Sequence, residues 1–420
     1  MSNKKNKRKE KRDALLLFTG LLAVCVLVLA VVVVPQLGGS TVPVSAPPES
    51  VLPGATGSEE PEVSSEPEPV VPDPVSIHIL GAGDNLIHST LYKQANARAG
   101  GGDDYDFGPV YERIAPLVEA ADIAVVNQET ILAGDELEVS DYPNFCSPTQ
   151  VGDELIKIGF DVFSQGNNHV LDKGQKGMDA ALRYWDKQKE KGVVTVGLYK
   201  DDEDVQDIRI VEREGIKTAH IGVTTMTNGI PMPEGTSNRL IMADDEELIR
   251  QLIEKAGNMA DVVVVSVHWG NENTNTPTED QKNLAKKMSD WGADIIFGNH
   301  AHTLQPVEYL EREDGSRSVV IYAMGNLASA QADPMNMIHG FLDVTVTKDF
   351  ATNETEITGV KLIPSVTHYD SGYKNNRLYL LSDYTEELAL NHGVHDNYRY
   401  FSLEYLQKLV TDTIDAQFLD

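Results

Sequence analysis

Apolar residues along the chain follow two rhythms, and the alternation between them maps most of the expected fold. Val262 to Val267 and Ile295 to Phe297 are short, β-branched runs closed by Gly or Asn, as in strands buried on both faces. Between them, EDQKNLAKKMSDWGA spaces Leu284, Met288 and Trp291 at helical intervals, which predicts a crossover helix and therefore parallel strands. The plan recurs upstream. SIHILGAGDNLIH alternates up to a glycine turn, FGPVYERIAPLVEAA reads as one amphipathic helix, and DIAVVNQET returns to a strand. QVGDELIKIGFDVFS predicts helix then strand, GMDAALRYWDKQKEKG a helix, and VVTVGL another strand. RIVEREGIKTAHIGVTT predicts a hairpin turning at Glu214-Gly215, and MADDEELIRQLIEKAGNMA a helix whose acidic first turn suits its dipole. Beyond His302, a hairpin is expected about Asp314-Gly315, a turn at Gly325-Asn326, and antiparallel strands in FLDVTVTKD and EITGVKLIPSVTH. The tail from Leu381 is expected to be helical in part. No internal repeat, P-loop or GxSxG elbow is present.

The N-terminal pattern is of another kind. Residues 2–13 carry seven Lys or Arg against two acids, and Ala14 to Val34 then runs without a charge to Pro35. That length suits one helix across a bilayer, and the basic flank places the N-terminus in the cytoplasm. A cleaved signal peptide shares the basic start but has a shorter apolar core and a small-residue cleavage site, so an uncleaved anchor is favoured. Residues 35–74, with SEEPEVSSEPEPVVPDP at their densest, lack apolar periodicity and predict a disordered spacer. The expected organisation is a basic cytoplasmic tail over 1–13, a transmembrane anchor over 14–34, the spacer over 35–74, and an extracytoplasmic domain over 75–420.

Charge narrows the partners. The chain carries a net charge of −30, and setting aside the basic leader makes the remainder more acidic still, which disfavours nucleic acid. With two cysteines, Cys25 inside the apolar run and Cys146 beyond it, a disulfide scaffold is excluded.

Polar residues at the ends of the predicted strands carry the candidate chemistry. Asp84, Asn127 with Glu129, Asn168 with His169, His268, and His300 with His302 each follow an apolar β run. In open α/β sheets that edge is where ligands bind. Taken alone, Asp84 suits a metal ligand or a helix N-cap, and the Asn168-His169 segment a ligand pair or a simple turn. His300 and His302 alternate off one strand end and so share a side, while a lone carboxylate such as Glu129 near an apolar run demands a partner. Together these oxygen and imidazole donors suit one or two first-row divalent ions, Mn, Fe or Zn. Two such ions would activate water and neutralise charge on a transferring group, with His169, if not a ligand, donating a proton to the leaving oxygen.

GAGDNL, DIAVVNQET, GFDVFSQGNNHVLDKGQKG, VHWGNE, GADIIFGNHAHTLQPVE and IYAMGNL resemble, in order and spacing, the motifs of the capsule-synthesis protein CapA family, which is related to the calcineurin-like metallophosphoesterases. The resemblance covers roughly Ser76 to Val366. It implies an α/β fold, a four-layer sandwich of two mixed β-sheets flanked by helices, with a dimetal site at one edge. By the same resemblance Asp84 and His302 would ligate a first metal, Glu129 would bridge, Asn168, His268 and His300 would hold a second, and His169 would be the proton donor, with Asn127 and Asn326 in support. Leu86 stands where phosphoesterases carry a D-x-H histidine, Glu129 where they carry a bridging Asp. Within the CapA pattern Gln165-Gly166 and Asn299 are small departures.

The expected function is that of a membrane-anchored, outward-facing protein acting in synthesis, export or attachment of poly-γ-glutamate or a related anionic envelope polymer, through a metal-dependent hydrolase-type site. Membrane synthase subunits are candidate partners. A non-catalytic polymer-binding or scaffold subunit and a general cell-surface phosphoesterase are the alternatives.

Overall fold

The structure is a computed structural model describing residues 73–419. The expected tail, anchor and nearly all of the spacer lie outside those residues. Among the described residues, no helix is long and apolar enough to cross a membrane.

Among the described residues, thirteen strands form two sheets. In chain order they are β1 (Val75–Asp84), β2 (Ile123–Asn127), β3 (Val162–Ser164), β4 (Val194–Val196), β5 (Arg209–Arg213), β6 (Ile216–Thr224), β7 (Val262–His268), β8 (Ile295–Asn299), β9 (Val307–Glu311), β10 (Arg317–Ile321), β11 (Ile338–Asp349), β12 (Glu354–Asp370) and β13 (Lys374–Leu380). The first sheet has the order β13-β12-β11-β1-β2-β3-β4, the second β5-β6-β7-β8-β10-β9. Both are mixed. β1 to β4 are parallel neighbours, and β1 also pairs antiparallel with β11. In the second sheet β6, β7, β8 and β10 run parallel, with the antiparallel strands β5 and β9 at its edges.

Side-chain alternation divides the core into layers. Ile77, Ile79, Ile123 and Val125 face Val262, Val264, Ile295 and Phe297 across the space between the sheets. The intervening residues Leu80, Ala82, Ala124 and Val126 turn outward onto helices that include Gln150–Lys157 and Gly174–Gln188. Val263, Val265, Val267 and Ile296 turn outward onto helices Glu246–Gly257 and Glu279–Trp291. The result is helices, sheet, sheet, helices, each buried strand satisfying one layer with odd positions and the next with even ones. Phe401, Leu406, Val410, Ile414 and Phe418 of the partly helical tail join the core between the sheets.

Three local expectations differ from what is observed. The segment FGPVYERIAPLVEAA forms two short helices, Gly108–Tyr111 and Ala115–Glu119, in place of one. Pro109 and Pro116 each sit in a first turn, and Pro116 cannot donate the hydrogen bond that would join them. The glycines of GAGD do not turn the chain, since β1 runs through them to Asp84. A Cβ on Gly81 would enter the Phe297 ring, so the residue is small because the second sheet presses against it. Helix Ser89–Ala99 and strand β13 carry too little apolar periodicity to have been anticipated. The hairpin turns stand where expected, with Glu214 and Gly215 at φ 50° and 78°, as a two-residue primed turn requires.

Two fully buried histidines set an acid limit on stability. Burial holds His220 of β6 and His339 of β11 down to about 3, and neither ring nitrogen of His339 has a partner. Because the folded values lie below the unfolded one, the unfolded chain takes up protons first as pH falls. Their contribution is complete above the unfolded value of about 6.5 and is lost progressively toward about 3. Denaturant unfolding at pH 5 is expected to show roughly 2 kcal/mol less stability per buried histidine than at pH 7. His339→Phe should remove its share of that slope.

Candidate metal centre

The carboxyl ends of the parallel strands in both sheets meet at one edge, and the candidate donors gather there. His268 ends β7 on the face turned toward the first sheet, and Asn127 ends β2 on the face turned toward the second. The Asn127 amide donates to Asp84 Oδ1 at 2.7 Å and reaches His268 Nδ1 at 3.3 Å. Alternation alone would turn Asp84 outward onto the helices. A register shift between Ala82 and Asp84 inserts Gly83 as an extra residue and brings the carboxylate inward. A side chain at Gly83 would collide with the Gly325 carbonyl, which accepts the Asp84 amide at 2.9 Å. Gly83→Ala is therefore expected to cost roughly 1–3 kcal/mol by overpacking, checked by denaturant unfolding.

Asp84 is fully buried. Its Oδ2 accepts from the His300 amide at 3.2 Å and pairs with His302 Nδ1 at 3.1 Å. His300 and His302 adopt φ of 92° and 57°, a strained left-handed backbone for non-glycine residues that wraps the loop around the Asp84 carboxylate. The His268 and His300 rings lie 4.6 Å apart. His268 Nε2 is 3.0 Å from Asn168 Oδ1, and the Asn168 amide donates to Asn228 at 3.3 Å. Glu129 completes the cluster from the loop after β2. Its Oε1 stands 3.7 Å from His268 Nε2 and 3.8 Å from His302 Nε2.

Both Glu129 oxygens and His300 Nδ1 are buried without a hydrogen-bond partner. A carboxylate in that condition is costly unless a cation answers it. One ligand atom each from Glu129, His300 and His302 lie within 4.8 Å of one another. The donors are imidazole, carboxylate and amide oxygen with no thiolate, a set suited to Mn, Fe or Zn. Cys146 is buried elsewhere, against Ala133 and Ala180. The residues therefore fit a divalent ion.

Ionisation follows the same geometry. Burial pushes the Glu129 carboxyl well above its ordinary value, against the pull of His302. Burial alone would lower His302, but the Glu129 and Asp84 carboxylates outweigh it and raise the imidazole to about 9. Burial, then the neighbouring His302, lowers His300 to about 4. Burial, then the neighbouring His300, His302 and His169, hold His268 well below the usual range. Two of the imidazoles thus present lone pairs at neutral pH, the state in which nitrogen ligates.

His169 stands at the rim. Its Nδ1 is 2.8 Å from Asp172 Oδ2, which also accepts the Phe145 amide at 2.7 Å. The carboxylate can only accept, so Nδ1 carries the proton and Nε2 is the atom through which a further proton is gained or given up. Asp172 is the residue that sequence reasoning passed over. Its only signal was a spacing of three from His169, which in a loop predicts no contact. The Asn326 amide donates to Gln331 at 2.7 Å, and its Oδ1 is buried without a hydrogen-bond partner. Its loop contributes through the backbone, by the Gly325 carbonyl.

Fold and site together define a two-sheet α/β protein with a buried cluster of histidines and carboxylates, a candidate cation centre, where the strand ends of both sheets meet. The profile of the family described as bacterial capsule synthesis protein PGA_cap matches residues 78–331, more than half of the sequence, and the chain belongs to that family. It is 29% identical over 225 residues to the PGA biosynthesis protein CapA of Bacillus subtilis, covering 53% of this chain and 57% of that one. It is 31% identical over 239 residues to the capsule biosynthesis protein CapA of Bacillus anthracis, covering 55% of each. The chain thus spans just over half the length of these curated relatives. Among solved structures, a novel phosphatase from Mycoplasma pneumoniae matches with a TM-score of 0.41 and 15% identity over 69% of this chain and 93% of that one. The NAD nucleotidase of Haemophilus influenzae matches with a TM-score of 0.42 and 13% identity over 81% and 60%.

Proposed function

We propose that this chain is a membrane-anchored, extracytoplasmic protein that acts in the synthesis, export or attachment of poly-γ-glutamate or a related anionic envelope polymer, through a metal-dependent site of hydrolase type. The orphaned Glu129 carboxylate between His268 and His302 carries the reading, since it supplies the charge that a cation would answer. Membership of the capsule synthesis family and the names of the two Bacillus relatives support the polymer. The apolar run over 14–34 and its basic flank support the anchor and the orientation.

Asp84, Glu129, Asn168, His268, His300 and His302 would hold one or two divalent ions. A bound ion would polarise the scissile group and a water beside it. Asn127 orients Asp84 and His268, and His169, set by Asp172, delivers a proton to the leaving atom. The test is metal analysis of the full-length chain purified without chelator, together with incubation with poly-γ-glutamate and measurement of its chain length. The wild type is expected to retain metal and shift the length distribution, and a His268→Ala, His302→Ala variant to do neither. Negligible metal in the wild type, with polymer handling unchanged in the variant, would sink the reading.

One observation favours a non-catalytic binding subunit as the second reading. Leu86 is buried in the core, so the D-x-H position supplies no imidazole beside Asp84, whose Oδ2 pairs with His302 Nδ1 at 3.1 Å. Recovery of membrane synthase subunits with a variant lacking every proposed ligand would support that role over catalysis.

A further inference from the structure

His88 belongs to none of the roles above, yet it lies beside the centre. It caps helix Ser89–Ala99 at the first turn after Asp84, and its ring packs edge-on against Phe145 at 5.4 Å and 87°. His169 packs against the same Phe145 at 4.8 Å and 84°. The two imidazoles therefore flank one buried ring, and beyond burial His302 and His169 both stand near enough to lower His88 further. Unlike the donors of the centre, His88 is only half-buried.

What separates the two rim imidazoles is the partner of Nδ1. In His169 it is the Asp172 carboxylate, an acceptor. In His88 it is the Ala330 amide, a donor, at 3.2 Å. The Leu86 carbonyl is also 3.2 Å from that nitrogen, but it already accepts the His88 backbone amide at 3.1 Å. The Ala330 amide can only donate, so Nδ1 accepts and the ring proton sits on Nε2. That nitrogen has no hydrogen-bond partner among the described residues, nor is it sealed from solvent. Burial, with Asp141 opposing it, lowers His88 to about 4, so the ring is neutral at ordinary pH. His169 is thus equipped to move a proton and His88 to hold one still.

We propose that His88 Nε2–H is a fixed, uncharged donor that binds an anionic oxygen of the substrate, phosphoryl or carboxylate, at the rim opposite His169. The inference rests on the centre being a metal-dependent site for an anionic substrate. A neutral donor suits that place because it aids an oxyanion without adding positive charge beside the cation ligands.

The experiment compares wild type, His88→Phe and His88→Gln full-length chains loaded with manganese, titrated by calorimetry with inorganic phosphate in one arm and γ-glutamyl-glutamate in the other. His88→Phe keeps a flat ring and removes the donor, while His88→Gln returns an N–H near the same place. The expected result is at least a tenfold loss of affinity in one arm for His88→Phe, recovery to within threefold for His88→Gln, and unchanged manganese affinity in all three. The arm that responds identifies the anion. Unchanged affinity of His88→Phe in both arms, or no binding of either probe by the wild type, would overturn the proposal. Failure of the wild type to bind manganese defeats the metal-dependent reading instead, and the same two titrations on chelator-treated chains then decide the role of His88 separately.

Discussion

Glu129→Gln is expected to lower divalent-metal affinity by roughly 100-fold or more while leaving the metal-free fold nearly as stable as the wild type. The first expectation follows from position. Changing groups that merely orient ligands typically costs 10–100-fold in metal affinity, about the least to expect for a carboxylate standing between His268 and His302. The second follows from cost. Both Glu129 oxygens are buried without hydrogen bonds, so a neutral amide of the same shape removes an expensive charge as well as an attraction to His302. The two effects oppose each other, and a net change within roughly 1 kcal/mol is expected. An ordinary core residue would behave in the reverse manner, losing stability with or without metal.

Equilibrium dialysis with elemental analysis reads the affinity, and denaturant unfolding with and without chelator reads the stability. At free metal 100 times its dissociation constant the wild type should gain about 2.7 kcal/mol, and the variant almost none of it at the same concentration. A variant that still gains the full amount would show that the ion, if any, lies elsewhere. A metal-free variant several kcal/mol less stable than the wild type would mark Glu129 as a structural charge satisfied by His302 alone.

The contrast between these donors and the rest of the site explains what was legible before the fold was known. His268, His300 and His302 announce themselves because each follows an apolar run that has few alternatives to a buried strand, and a strand end fixes roughly where the next side chain stands. Asn127 and Glu129 are legible for the same reason. Asp84 is harder. Its inward aim depends on the extra residue at Gly83, and a bulge leaves no mark in a pattern of small residues read one strand at a time. The glycines there suggest a turn, whereas their true cause is crowding by Phe297 and the Gly325 carbonyl from distant parts of the chain. Asp172, His88 and Phe145 lie in loops whose conformation is set by contacts between segments, and no periodicity reports on such contacts. Most strands and helices follow from apolar rhythm, whereas the two mixed sheets are implied only by the family resemblance, and the order of strands in each follows from neither, because pairing β1 with β11 spans most of the domain.

Replacing His169 by alanine is expected to lower turnover of poly-γ-glutamate by roughly 10²–10⁴-fold, the range a positioned proton donor supplies, and Asp172→Asn by roughly 10–100-fold. Metal content should stay at the wild-type level in both. The difference in size comes from what each change leaves behind. Alanine removes the proton carrier. Asparagine keeps one acceptor oxygen, which can still take both the His169 ring and the Phe145 amide that now share Asp172 Oδ2, but a neutral amide holds them more weakly than a carboxylate. The ring is then held less firmly and its Nε2 is aimed less often at the leaving atom, so the rate constant falls more than the Michaelis constant rises. Turnover is read as polymer ends released per protein, with metal measured on the same samples. Wild-type turnover in His169→Ala would remove the proton-donor role. A loss of metal in Asp172→Asn would instead mean that the carboxylate supports the centre as a whole, because disturbing the Phe145 amide would then have reached the donors behind it.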